Sequence, residues 1–76
     1  MDKALILITL EPLAERKVLN QLRRIEGVIE AEMLYGPYDA YAMIEAKNSG
    51  ALHDLVMDKI RGIEGINSTM TCFIAD

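Results

Sequence analysis

At 76 residues and 8.5 kDa, the chain supports one small domain with one thin core. Its formal charge of −4 works against nucleic-acid binding, which draws affinity from phosphate neutralisation. The longest unbroken apolar run, Ala4 to Ile8, is far short of the roughly 20 residues of a membrane helix, and the single Cys72 excludes an internal disulfide. These features, with no secretory signal pattern, lead us to expect a cytoplasmic protein.

Lys3 to Leu10 (KALILITL) is aliphatic, too short for a helix, and stops at Glu11-Pro12, so it predicts a strand. From Leu13 to Glu26 the apolar residues Leu13, Ala14, Val18, Leu22 and Ile25 recur at helical spacing, with Leu19 widening the stripe. Arg23 and Arg24 near its end suit the helix dipole, and Gly27 is the expected stop. Val28 to Tyr35 alternates, with Ile29, Ala31, Met33 and Tyr35 opposed to Glu30 and Glu32, and predicts a second strand. Gly36-Pro37-Tyr38-Asp39 has turn composition. Ala40 to Lys47 follows as a third strand, antiparallel to the second. Asn48 or Ser49 can cap a second helix with the stripe Leu52, Leu55, Val56, Ile60 and Ile63. Ile66 to Ala75, rich in Thr, is the fourth strand.

The order is βαββαβ. Ile25-Glu26-Gly27-Val28 returns 38 residues later as Ile63-Glu64-Gly65-Ile66, each copy closing a helix and opening a strand. Two βαβ halves with right-handed crossovers give an α+β, ferredoxin-like domain: a four-stranded antiparallel sheet with both helices on one face.

Strand parity goes further. Ala4, Ile6, Ile8 and Leu10 share one face, yet Leu5 and Leu7 occupy the other; Ala40, Ala42, Ile44 and Ala46 oppose Tyr41 and Met43. A sheet with one wet face should alternate apolar and polar residues. Two helices cover one face only, so the second apolar face implies a cover from outside the chain. About 500 Å² of apolar area hidden there would contribute about 12 kcal/mol before association costs. A symmetric dimer packed sheet to sheet is the simplest solution.

Catalytic chemistry is sparse. His53 is the only histidine, and Asp54 and Asp58 fit a solvated helix face. No metal constellation, triad or phosphate loop is present, so no cofactor or metal is expected. Cys72 is expected to be a buried small side chain. Arg16, Lys17, Arg23 and Arg24, interleaved with Glu15 and Glu26, fit a solvated helix face. Two polar groups suit a ligand. Gly36 lets the hairpin backbone offer amide donors while Asp39 supplies a carboxylate, a pairing suited to an amino acid; Asp39 could equally bond the turn backbone. Asn67-Ser68-Thr69-Met70-Thr71 offers hydroxyls, although Thr is also simply a good strand former. The competing reading is a small dimeric ferredoxin-like enzyme, a cofactor-free monooxygenase or isomerase, with His53 as its base. A second is an ACT-type regulatory domain, whose sheets pair side by side.

The strand-one opening before Glu11-Pro12, the two Ile-Glu-Gly junctions, the Tyr35-Gly36-Pro37-Tyr38-Asp39 hairpin and the Ser68-Thr69-Met70-Thr71 strand together resemble the effector-binding (RAM) domain of the Lrp/AsnC feast-famine regulators. The resemblance covers nearly the whole chain. It implies a non-enzymatic module that binds small effectors, usually amino acids, between dimers. It also implies dimers through the sheets and rings of dimers such as octamers or decamers. By position it implies that Gly36 and Asp39 receive the effector's charged groups, that Tyr35 and Tyr38 flank it, and that Ser68, Thr69 and Thr71 form the complementary wall from a neighbouring subunit. Family members carry an amino-terminal helix-turn-helix domain, whereas strand one here follows Met1 almost at once. Residues 1–76 are therefore expected to be a single stand-alone effector domain that contacts no DNA itself and either assembles with full-length regulators to modulate them or acts as a free amino-acid sensor, two alternatives between which the sequence does not choose.

Overall fold

The computed structural model describes residues 1–75. The elements run β1 (Asp2–Leu10), α1 (Glu15–Arg23), β2 (Val28–Met33), β3 (Ala40–Ala46), α2 (Ser49–Asp54) and β4 (Ile66–Phe73). A π-helical segment, Leu55–Ile60, continues α2 directly. The sheet order is β2-β3-β1-β4, all antiparallel, which is the expected ferredoxin-like arrangement. No described helix is long and apolar enough to cross a membrane.

Hydrophobic alternation sets the faces. Ala4, Ile6 and Ile8 of β1, Ala40, Ala42 and Ile44 of β3 and Ala31 of β2 point toward the helices and are buried. Against them pack Val18, Leu19 and Leu22 of α1, Leu52 of α2, and Val56 and Ile60 beyond it. Alanines on the two central strands let the helices sit close to the sheet.

The first helix is shorter than the apolar spacing predicts, and local backbone geometry explains why. Ala14 N–H donates to the Glu11 carbonyl at 3.1 Å, closing a turn in which Leu13 takes φ 67°. With Pro12 before it, this is a type II turn, whose third position favours Gly or Asn. Leu13 is therefore outside α1, strained, and 95% exposed rather than part of the core stripe. At the other end, Arg24 and Ile25 bond three residues back, to Gln21 and Leu22, and Gly27 at φ 102° turns the chain away. Asn48 caps α2 as expected: its Oδ1 accepts from Ala51 N–H at 2.8 Å.

The repeated glycines have a steric basis. A Cβ on Gly65 would lie 2.9 Å from both Ala14 Cβ and Val18 Cγ2, and Gly65 has φ 107°. One on Gly27 would lie 2.8 Å from Leu55 Cδ2. Each junction sits where a loop passes directly beneath a helix, so the backbone must be bare there.

Three sequence expectations are corrected. The second strand ends at Met33, which leaves Tyr35 exposed in the hairpin loop. The β2–β3 register shifts between Val28 and Glu30, so Ile29 falls on a bulge and is half exposed, outside the alternation. Cys72 is exposed, because it lies opposite Leu5 on the face without helices.

That second face is built from Leu5, Leu7 and Thr9 of β1, Tyr41 and Met43 of β3, Glu30 and Glu32 of β2, and Ser68, Met70 and Cys72 of β4. Leu5, Leu7, Tyr41 and Met43 are half-buried by one another, and Met70 is 51% exposed. The accessible area of 5030 Å² exceeds the ~4,700 Å² expected for a compact monomer of this mass, as a layer open on one side should.

Candidate functional site

The β2–β3 hairpin folds back onto the end of the sheet where β1 finishes and β4 begins. Asp39 anchors it. Its N–H donates to the Ile8 carbonyl at 2.8 Å, its carbonyl accepts from Leu34 N–H at 2.9 Å, and its Oδ2 accepts from Leu10 N–H at 2.7 Å. The β1–β4 register shifts between Thr9 and Leu10, so the Leu10 amide departs from the regular ladder and the carboxylate supplies a partner. Asp39 thus has the backbone role that its position allowed, and its second carboxylate oxygen is left for another donor.

Around it, the Thr9 and Ser68 hydroxyls hydrogen-bond each other across the β1–β4 pair. The Tyr38 hydroxyl donates to Met70 Sδ at 3.5 Å, laying the ring over the open face. Gly36, at φ 133°, has no heavy atom within 4 Å of where a Cβ would sit, so the left-handed backbone, not crowding, is what requires glycine. Tyr35 projects into solvent beside it. The structure therefore brings Tyr35, Gly36, Tyr38, Asp39 and Ser68 to one end of the sheet. Thr9 joins them unforeseen; only its cross-strand register with Ser68 could have revealed it.

Thr69 and Thr71 do not join this cluster. Strand parity turns them to the helix face, opposite Ile8 and Ile6, while Ser68 points the other way. There they line a shallow groove of about 300 Å³ with His53, Val56, Met57, Arg61 and Phe73. Arg61 is its cation, and its Nη1 lies 3.3 Å from Met57 Sδ. Next to it, Arg61, Ile66, Asn67, Ser68 and Thr69 line a more polar hollow of about 250 Å³. His53 is exposed, with no hydrogen-bond partner among the described residues. The two threonines can reach the hairpin end only from another subunit.

Electrostatics at the open face are uneven. Tyr41 sits between Glu30 and Glu32; its hydrogen bond with Glu30, then loss of solvent and the two negative charges, raise its pKa above the ordinary phenol value. No cluster of three metal-ligating side chains exists among the described residues.

Residues 3–76 match the Lrp/AsnC ligand binding domain. The chain belongs to that family. It is 37% identical over 71 residues to an HTH-type transcriptional regulator of Pyrococcus horikoshii, a match covering 90% of this chain and 47% of the regulator. The chain thus spans about half the length of such relatives. A solved Pyrococcus horikoshii protein of nearly the same length superposes with TM-score 0.93 at 31% identity, over 99% of this chain and 90% of that one. AsnC of E. coli superposes with TM-score 0.91 at 25% identity, over 99% of this chain and 51% of AsnC.

Proposed function

We propose that this Lrp/AsnC domain is a non-enzymatic regulatory module. In this reading it binds a small amino-acid effector at the hairpin end of its sheet and works as an oligomer built on a face-to-face dimer. The observation that carries the reading is the apolar layer of half-buried Leu5, Leu7, Tyr41 and Met43 with exposed Met70, which no helix among the described residues covers. Packing it against its own copy removes that surface from water.

The effector's ammonium goes to the second oxygen of Asp39, and its carboxylate to the hairpin amides at Gly36. Tyr35 and Tyr38 flank the side chain, with Ser68 beside them. Thr69 and Thr71 of a neighbouring subunit close the site. A ligand held by two subunits favours the assembly that completes its site, which is how occupancy becomes a signal. Where DNA-binding relatives share the assembly, that signal is transcriptional.

The enzyme alternative rests on His53, which stands exposed without an orienting partner, a poor setting for a general base. A thermal-shift screen of the twenty amino acids, run with light scattering, tests the proposal. Stabilisation by one or a few amino acids together with an oligomeric mass supports it. A flat screen removes the amino-acid site, and a monomeric mass removes the shared pocket.

A further inference from the structure

The outer side of α1 begins with a residue that the fold does not explain. Leu13 takes φ 67° at the third position of a type II turn, where Gly or Asn sits without strain, and its side chain is 95% exposed. Its backbone is strained and its side chain is unburied, so a large apolar residue here stabilises nothing within the chain.

Leu13 lies at one end of a broad hollow of about 500 Å³, which it lines with Arg16, Lys17, Asn20, Gln21 and Arg24. The cations along α1 are not equivalent. Lys17 Nζ is held by Glu64 at 2.8 Å. Arg23, to one side, is engaged by the Ala31 carbonyl and by Glu32. Arg16 and Arg24 are exposed, and neither has a hydrogen-bond or ion-pair partner among the described residues. Eight residues separate them, a rise of about 12 Å along the helix. The aliphatic stems of these long side chains add apolar surface between the two free guanidinium groups.

We infer that the outer face of α1 docks an acidic amphipathic helix of a partner protein, with carboxylates on Arg16 and Arg24 and apolar side chains packed around Leu13. Carboxylates about two helical turns apart on the partner meet both guanidinium groups, each of which can bind a carboxylate through two parallel hydrogen bonds. Apolar residues on the same stripe of that helix then cover Leu13. The shape argues for a protein rather than a small ligand: a protruding apolar side chain leaves water only against a surface large enough to surround it. Nucleic acid fits poorly. Its closely spaced phosphates would meet Glu64 beside Lys17 and Glu15 beside Arg16, on a chain of net charge −4. A second copy also fits poorly, because the exposed helical acids Asp54 and Asp58 stand one turn apart, half the required span. This contact lies away from the hairpin-end site and from the open sheet face, and depends on neither.

The test is an NMR titration of the whole chain with three probes: a helical peptide carrying two glutamates eight residues apart beside a leucine stripe, the same peptide with lysine for both glutamates, and a single-stranded DNA oligonucleotide. The glutamate peptide should shift amides from Leu13 to Arg24, less so as salt screens the pairs. Arg16→Glu with Arg24→Glu should weaken its binding roughly tenfold. Leu13→Asn should weaken it several-fold while Tm holds or rises, since the turn accepts asparagine. No shift with the glutamate peptide at millimolar concentration, equal binding of the lysine peptide, or tighter binding of the oligonucleotide overturns the inference. A lower Tm in Leu13→Asn also overturns it, because the leucine would then be serving the fold. Light scattering tests the remaining occupant: if the Arg16→Glu, Arg24→Glu protein alone has a lower mass than the wild type, the face joins copies of this chain and the inference fails.

Discussion

Asp39 carries two separable duties, and substitution can divide them. Its Oδ2 holds the Leu10 amide at 2.7 Å where the β1–β4 register breaks. A hydrogen bond to a charged acceptor is worth about 1.5–3 kcal/mol, and Asp39→Ala leaves the Leu10 N–H without its partner. In a domain of this size, about 2 kcal/mol corresponds to a fall in Tm of roughly 8–16 °C. Asp39→Asn keeps an oxygen acceptor in place and should lose about half as much. The effector's ammonium, by contrast, needs the charge. Asp39→Asn should therefore fold well and bind the effector roughly ten- to a hundredfold more weakly, the equivalent of one charge-assisted contact. Scanning calorimetry and isothermal titration at one fixed protein concentration read both quantities, since assembly makes Tm concentration-dependent. An Asp39→Ala protein with wild-type Tm would refute the anchoring role. Wild-type affinity in Asp39→Asn would remove the carboxylate from the ligand site.

Leu7 lies between Tyr41 and Met70 at the centre of the open face, so Leu7→Glu should abolish the face-to-face contact; light scattering would show the lower mass, and an unchanged mass would place the contact elsewhere. Gly65→Ala forces a methyl to within 2.9 Å of Val18 at a left-handed position and should cost about 1–3 kcal/mol, read as a lower urea midpoint at constant m. An unaltered midpoint would mean that α1 can shift to make room. The Glu64 carboxyl is held below its ordinary value by the hydrogen bond from Lys17 Nζ at 2.8 Å and by that charge. Its folded pKa lies under the unfolded one, so its small stabilising effect is present above the unfolded pKa and fades as pH falls through the folded value. In Lys17→Ala the NMR titration of Glu64 should return to the ordinary carboxylate range; an unmoved midpoint would assign the shift to another cause.

The fold was legible because each physical signal in the sequence pointed the same way. The repeated Ile-Glu-Gly junction marks two places where backbone must pass under a helix, and the structure supplies the contacts that demand it. Apolar parity on β1 and β3 placed Leu5, Leu7, Tyr41 and Met43 on the face without helices. What the sequence could not disclose is register. A single bulge takes Ile29 out of its alternation, and a left-handed Leu13 delays the start of α1 to Glu15; neither alters the composition of its segment. Cys72 was misplaced for a related reason: a small apolar residue in a strand is compatible with either face, and only pairing with Leu5 decides.

The candidate site shows the same limit more sharply. Ser68, Thr69 and Thr71 form one compact motif in the chain, but a strand delivers neighbours to opposite faces. Ser68 joins Thr9 and the hairpin, while Thr69 and Thr71 enter the groove beneath α2. A site that uses all three must be assembled from more than one chain, because no rotation of side chains carries a threonine through the sheet. The open apolar face is the surface that the proposed assembly would use, and a domain whose fully buried side chains all lie on one side of a single sheet has a physical reason to cover it.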